Sequence, residues 1–165
     1  MATQYNFPKR FLWGASTSAH QVEGNTHNQW SVWELENAKS FAKQAQYKLN
    51  ELPIWSEIEH EATDPRNYIS GSAADHYRRY EDDFDIAAQL NMNAFRFSIE
   101  WSRIEPEEGV WNAHEIEHYR QYLQALKRRG IEPLMTLFHW TTPVWFAQRG
   151  GFEKRSNIKY FVRFA

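Results

Sequence analysis

A short apolar stretch is followed by a helical pattern three times along this chain. The apolar stretches are residues 11–17, 94–99 and 133–138. The helical patterns cover residues 75–90, 112–130 and 156–165. Strands that alternate with helices predict a parallel sheet with right-handed crossovers. Two architectures use this unit, the open doubly wound sheet and the eight-stranded barrel.

The second stretch, "AFRFSI", distinguishes these two architectures. Phe95 and Phe97 share one side of the strand, and Ala94, Arg96 and Ser98 share the other. An open sheet covered by helices on both faces would be apolar on both sides. A barrel turns its large apolar residues toward the helices and admits polar residues inside, near the carboxyl ends of the strands. We therefore predict an α/β fold, the amino-terminal portion of a (β/α)8 TIM barrel with about three βα units.

Residues 26–74 separate the first strand from its helix, whereas a βα loop usually has about 2 to 6 residues. Residues 37–49 and 53–62 have helical patterns, so we expect a decorated loop at the functional end of the barrel. Along the last helix, the apolar stripe runs to the final residue without a capping signal. Its members are Ile158, Phe161, Val162 and Ala165. We expect residues 1–165 to be part of a single barrel domain, truncated within the helix after strand 3.

Charge and composition exclude several classes of partner. Nineteen basic and twenty-one acidic residues give a net charge of -2, without the basic patch that nucleic acid or an anionic membrane requires. The chain has no cysteine, so disulfides and thiolate metal sites are excluded. No signal-peptide core and no apolar run of membrane-spanning length is present. We expect a cytoplasmic protein that binds neither nucleic acid nor membrane.

The segment "HEIEH", residues 114–118, satisfies the H-E-x-x-H pattern of zinc metallopeptidases. At about 100° per residue, the apolar stripe of its helix lies almost opposite His114 and His118. Both imidazoles should then face solvent, and a catalytic zinc needs a walled cavity and a third ligand. We prefer the solvated helix face and keep a zinc metallopeptidase as an unfavoured alternative.

Polar residues cluster where the predicted strands end. Arg96 points into the barrel, where it either forms a structural ion pair or holds an active-site carboxylate. His139 and Trp140 directly follow the third strand, and Gln21 follows the first. Donors and acceptors beside an indole wall are suited to sugars, and an amide can donate to and accept from neighbouring hydroxyls.

Three motifs together resemble family 1 glycoside hydrolases, the β-glucosidase and β-galactosidase type. They are "FLWGASTSAHQVEG", "NAFRFSIEWSRIEPEEG" and "FHWTTPVWFAQRGGF". The resemblance implies an eight-stranded barrel that hydrolyses terminal β-D-glycosides with retention. Gln21 and His139 would hydrogen-bond the sugar, Trp140 would help form its wall, and Arg96 would support the nucleophile. Both catalytic glutamates would follow the fourth and seventh strands, beyond this chain.

The resemblance predicts the amino-terminal part of a retaining β-glycosidase that is inactive alone. Its substrate would be a β-glucoside or β-galactoside, and we expect no metal and no cofactor. The fragment would associate with the rest of the barrel or with itself, since its sheet edges are open. A non-catalytic carbohydrate-binding or assembly fragment remains the alternative.

Overall fold

The computed structural model describes residues 6–165, and three parallel strands form the sheet in that range. The strands are β1 (Gly14–Ser16), β2 (Ala94–Ser98) and β3 (Glu132–Thr136), in the order β1-β2-β3. Gly14 pairs with Ala94, and Ala94 pairs with Glu132. All three predicted strands exist and are parallel, although each is shorter than its apolar stretch.

Two helices, His76–Gln89 and Ala113–Arg128, cover one face of the sheet, and further helices fill the long connection after β1. The α-helices of the described part are α1 (Ala19–Val22), α2 (Gln29–Lys48), α3 (Trp55–Ala62), α4 (His76–Gln89), α5 (Trp101–Ile104), α6 (Ala113–Arg128), α7 (Val144–Gln148) and α8 (Ile158–Phe164). Short 3₁₀ turns occur at Pro65–Tyr68, Gly151–Glu153 and Arg155–Asn157. None of the helices within residues 6–165 is long and apolar enough to cross a membrane.

The helical parts of the long connection correspond to α2 and α3, but α2 begins eight residues earlier than its predicted start at residue 37. The cause is a capping box: Ser31 N–H donates to Asn28 Oδ1 at 2.9 Å, and Asn28 N–H donates to Ser31 Oγ at 3.0 Å. This reciprocal pair satisfies two backbone donors that a helix start otherwise leaves without partners. The Asn28–Ser31 pair therefore moves the start of α2 to Gln29, ahead of the segment whose residue pattern is helical.

Phe95 and Phe97 of β2 are buried against α4 and α6, as the alternation of the strand predicts. The Phe97 ring lies 4.6 Å from the ring of Tyr122, which lies 4.7 Å from Phe84 in an edge-on arrangement. Such contacts stabilise the core beyond the burial of apolar area. The opposite face of β2 carries Arg96, which is exposed.

The predicted apolar stripe of the last helix is right at Phe161, which packs against the aromatic cluster of Trp101 and Phe146, and wrong at Ile158 and Val162. Ile158 and Val162 are 50% and 67% exposed, whereas Tyr160 is buried. A 3₁₀ turn carries the chain to residue 157, so α8 begins at Ile158 rather than at Ser156. The helix then docks through its aromatic residues, and the ring of Phe164 stacks on Trp101 at 5.0 Å. Large rings bury more apolar area than aliphatic side chains do, so they determine which face packs.

Candidate functional site

A cavity of about 600 Å³ opens at the carboxyl end of the sheet. Three predicted site residues line it together: Gln21 from α1, and His139 and Trp140 from the segment after β3. The remaining lining residues are Ser18, His20, Trp30, Glu34, Ser70 and Thr141. Parallel strands end at one edge, so residues 118 positions apart in sequence converge on one cavity.

The loop that carries Trp140 has a constrained backbone. Trp140 is 75% exposed and has a φ of 72°, in the left-handed region that costs a non-glycine residue about 1 kcal/mol or more. Gln29 holds this loop because its Nε2 donates to the Trp140 carbonyl at 3.1 Å and its Oε1 accepts from Thr142 N–H at 2.6 Å. These bonds fix the backbone of the loop that presents the exposed indole at the rim of the cavity.

Arg96 stands apart from this cavity. Its Nε donates to Thr136 Oγ1 at 2.9 Å, across the β2–β3 pair. Among residues 6–165, no carboxylate forms an ion pair with Arg96. The structural ion pair that its position suggested is therefore not formed within this part of the chain, and its role toward a nucleophile stays a prediction.

His20 and Glu34 form the buried floor of the cavity. His20 Nε2 lies 3.1 Å from Glu34 Oε1, and Asn28 Nδ2 donates to His20 Nδ1 at 3.2 Å. Because Nδ1 accepts, the proton lies on Nε2 and points at the carboxylate. Burial raises the pKa of Glu34, but hydrogen bonds from Ser70 and His20 outweigh it and leave the pKa below its ordinary value of 4.5.

Glu100 joins the segments that surround this floor. Its fully buried carboxylate accepts from Asn28 Nδ2 at 3.2 Å, Thr141 Oγ1 at 2.9 Å and Ser102 Oγ at 2.8 Å. The three donors come from the start of α2, the Trp140 loop and α5. One side chain at the end of β2 thus ties the two walls of the cavity together.

Glu23, two residues after Gln21, is buried beneath α1. Arg103 Nε donates to its Oε2 at 2.9 Å, and the Tyr119 hydroxyl donates to its Oε1 at 2.8 Å. Burial raises the pKa of Glu23 to about 7, and the Arg103 guanidinium opposes that rise. The group anchors the strand exit that presents Gln21.

The expectation that both histidines of "HEIEH" face solvent is wrong for one of them. The His114 side chain is 81% exposed, but His118 is half-buried and stacks on Tyr77 at 3.8 Å between ring centroids. The cause is α4, whose aromatic face covers this side of α6. Within residues 6–165, no three His, Cys, Asp or Glu side chains are grouped to hold a metal ion.

His118 makes the fold sensitive to acid. Its Nε2 is buried without a hydrogen-bond partner, and burial lowers the pKa of the imidazole to about 4. The folded state therefore binds a proton on His118 more weakly than the unfolded state does. The contribution of His118 to the free energy of unfolding falls as pH drops from about 6.5 to about 4.

We expect His118→Phe to stabilise the chain at pH 5 more than at pH 8, because phenylalanine keeps the ring on Tyr77 and has no nitrogen to protonate. Urea unfolding at the two pH values measures this effect. His114→Phe is the matched control, since its exposed ring should leave the pH dependence unchanged. Equal effects of the two substitutions would contradict this account of His118.

Comparisons with known proteins agree with this geometry. The sequence model of the family described as Glycosyl hydrolase family 1 matches residues 3–165. Beta-glucosidase A of Acetivibrio thermocellus is 33% identical over 168 residues, covering 99% of this chain and 33% of the relative. Beta-glucosidase 42 of Arabidopsis thaliana is 34% identical, covering 97% of this chain and 30% of the relative.

Solved structures give the same result. A beta-glycosidase from Pyrococcus horikoshii superposes with a TM-score of 0.75 at 37% identity, covering 96% of this chain and 31% of that protein. The AHE enzyme from Alicyclobacillus herbarius superposes with a TM-score of 0.78 at 30% identity, covering 99% of this chain and 33% of that protein. The chain thus spans about a third of the relatives it matches, and the predicted barrel portion is confirmed. This chain belongs to glycosyl hydrolase family 1.

Proposed function

We propose that this chain supplies part of the sugar-binding site of a retaining β-glycosidase that hydrolyses terminal β-D-glycosides. The observation that carries the proposal is the convergence of Gln21, His139 and Trp140 on one cavity. An amide and an imidazole there offer hydrogen bonds to hydroxyls beside an exposed indole on which a sugar face can stack. The relatives named above, which are β-glucosidases, support the same substrate class.

Arg96 has a separate part in this proposal. Its guanidinium lies on the face of β2 that turns away from the helices, and it pairs with no carboxylate in residues 6–165. Retaining hydrolysis needs two carboxyl groups about 5 to 5.5 Å apart, one as acid/base and one as nucleophile. We assign Arg96 to the nucleophile, with both glutamates supplied by the two thirds of the family fold that this chain does not span.

Hydrolysis of p-nitrophenyl β-glucoside and β-galactoside tests this proposal. We expect no turnover by the chain alone, and turnover when it is mixed with the carboxyl-terminal two thirds of a relative such as the Acetivibrio thermocellus enzyme. Gln21→Ala should weaken activity of the mixture, and Gln148→Ala, an exposed glutamine on α7, should not. Turnover by the chain alone would show that a carboxyl pair lies within it, and Glu23 and Glu100 would be examined first.

Open sheet edges favour a second candidate, a non-catalytic carbohydrate-binding or assembly fragment. The outer strands β1 and β3 each pair on one side only within residues 6–165, and Leu134 and Met135 of β3 are 44% and 46% exposed. Such an edge favours association with further chain or with a second copy. Saturable binding of glucoside without turnover in the mixture would support this candidate.

A further inference from the structure

A separate surface cavity of about 300 Å³ opens where the chain passes from α7 to α8. Its lining residues are Arg149, Lys154, Ser156, Asn157, Lys159 and Tyr160. None of them lines the cavity that holds Gln21, His139 and Trp140. Residues 149–165 contain five basic residues and one acidic residue, Glu153, in a chain whose net charge is -2. Positive charge is therefore concentrated around this second cavity.

The ring of Tyr160 gathers three cations at one edge of this cavity. Its centroid lies 4.9 Å from Lys159 Nζ, 5.5 Å from Arg163 Cζ and 5.7 Å from Arg149 Cζ. An aromatic face attracts cations at such distances. Both arginines also form ion pairs with glutamates. Lys159 forms no ion pair within residues 6–165, so its charge is available to an anionic ligand.

Lys154 is the second basic residue whose charge is available. Its stem lies against the backbone of Gly150, which has a φ of 93°. A Cβ at position 150 would lie 2.8 Å from Lys154 Cε and 3.0 Å from its Cδ, so only glycine leaves room for this stem. In the described part of the chain, no carboxylate pairs with Lys154. An ordered stem loses less conformational freedom when its ammonium group binds a ligand.

The turn between the two lysines supplies a neutral donor. Asn157 is 5% exposed, and its Nδ2 donates to the carbonyl of Gly151 at 2.9 Å and to that of Arg149 at 3.2 Å. These two bonds fix the turn that presents the exposed Ser156 at the cavity, where its hydroxyl can donate to a ligand. Two ammonium groups and a hydroxyl are donors suited to the oxygens of a phosphoryl group.

We propose that this cavity binds the phosphoryl group of a small phosphate monoester. Lys154 and Lys159 supply the charge, and the Ser156 hydroxyl donates to a third oxygen. The cavity volume reaches the lower end of the range for small-molecule sites, roughly 300 to 1,000 Å³, so the organic part of the ester also fits. A nucleic acid would need several more phosphate contacts than two lysines can make. The proposal does not depend on the proposed function, because the two cavities share no residue.

Calorimetric titration of the chain with glycerol 3-phosphate at fixed ionic strength tests this site, since that ester has no pyranose ring to enter the other cavity. We expect saturable binding of one equivalent and none of glycerol. Lys154→Gln and Lys159→Gln should each weaken it about two- to fivefold, the effect of one exposed charge contact. The double variant should bind more weakly still. Arg155→Gln is the matched control, because it removes one exposed charge from the same turn and does not line the cavity.

Acetylation of lysines, mapped by mass spectrometry, is an independent measurement on the unaltered chain. Glycerol 3-phosphate should protect Lys154 and Lys159 and leave the exposed Lys127 of α6 unprotected. Absence of binding, or equal weakening by Arg155→Gln, would overturn the site. Binding of inorganic phosphate without binding of the ester would overturn the monoester as its ligand. Glucose titration of the same variants keeps the two proposals distinguishable, because the lysine substitutions should leave the affinity for glucose unchanged.

Discussion

Replacing Arg103 with alanine should lower the free energy of unfolding by about 3 to 5 kcal/mol at pH 8, because it leaves a carboxylate buried without its counter-charge. The side chains of Arg103 and Glu23 are 14% and 4% exposed, and their ion pair measures 2.9 Å. The same guanidinium donates to the Gly24 carbonyl at 2.6 Å and lies over the Tyr77 ring at 4.3 Å. Alanine removes all three contacts at once.

The loss should be smaller at pH 5 than at pH 8. Burial raises the pKa of Glu23 from 4.5 to about 7, so the folded state keeps a proton that the unfolded state releases between these values. The contribution of this group to stability therefore falls as pH rises through that window. Without Arg103 the pKa of Glu23 rises further, so the pH range over which this contribution is lost extends above pH 7. At pH 5 the carboxyl group is protonated in the folded variant, so the missing guanidinium costs less.

Urea denaturation of the wild type and Arg103→Ala at both pH values measures this difference. Arg120→Ala is the matched control, because its 2.6 Å ion pair with Glu117 is exposed on α6 and should contribute at most about 1 kcal/mol at either pH. Equal losses at pH 5 and pH 8 would show that Arg103 acts through packing on Tyr77 instead of through the charge of Glu23.

Local patterns in the sequence account for the elements of this fold. Alternation in "AFRFSI" correctly places Phe95 and Phe97 against the helices, because side chains of a strand point alternately to its two faces. The same local rules fail for α8, whose orientation depends on rings of α5 and α7. A helical period identifies an apolar stripe, but the partner that the helix meets decides which residues are buried.

Some residues of the site could likewise be predicted from local patterns, and others depend on tertiary structure. Gln21, His139 and Trp140 were predictable because each follows a strand, and a barrel gathers the strand exits at one end. The buried carboxylates Glu23 and Glu100 were not predictable as supports of the site, since their bonds join residues far apart in sequence: Asn28 reaches Glu100 across 72 positions, and Tyr119 reaches Glu23 across 96. One signal was present, because Glu23 flanks Gln21 in the first motif, but its Arg103 partner depends on tertiary structure.

Glu100→Ala should lower the free energy of unfolding by about 3 kcal/mol and also weaken sugar binding. Each buried donor left without a partner costs about 1 to 3 kcal/mol, and alanine leaves donors of Asn28, Ser102 and Thr141 unpaired. Thr141 adjoins Trp140, so the loop that presents the indole loses a tether. The affinity for glucose should fall together with stability, although Glu100 does not line the cavity.

Glu100→Gln separates the two effects, because glutamine fills the same volume and keeps one acceptor oxygen. In this variant the new amide N–H faces one of the three donors that bonded to the carboxylate. We therefore expect the free energy of unfolding to fall, but by less than in Glu100→Ala. Denaturation and glucose titration of both variants measure this, with Glu107→Ala as the exposed control from the loop that follows α5. If Glu100→Ala loses stability but binds glucose as the wild type does, Gln29 alone orders the Trp140 loop. If both properties fall, the buried carboxylate at the end of β2 positions the sugar-binding wall.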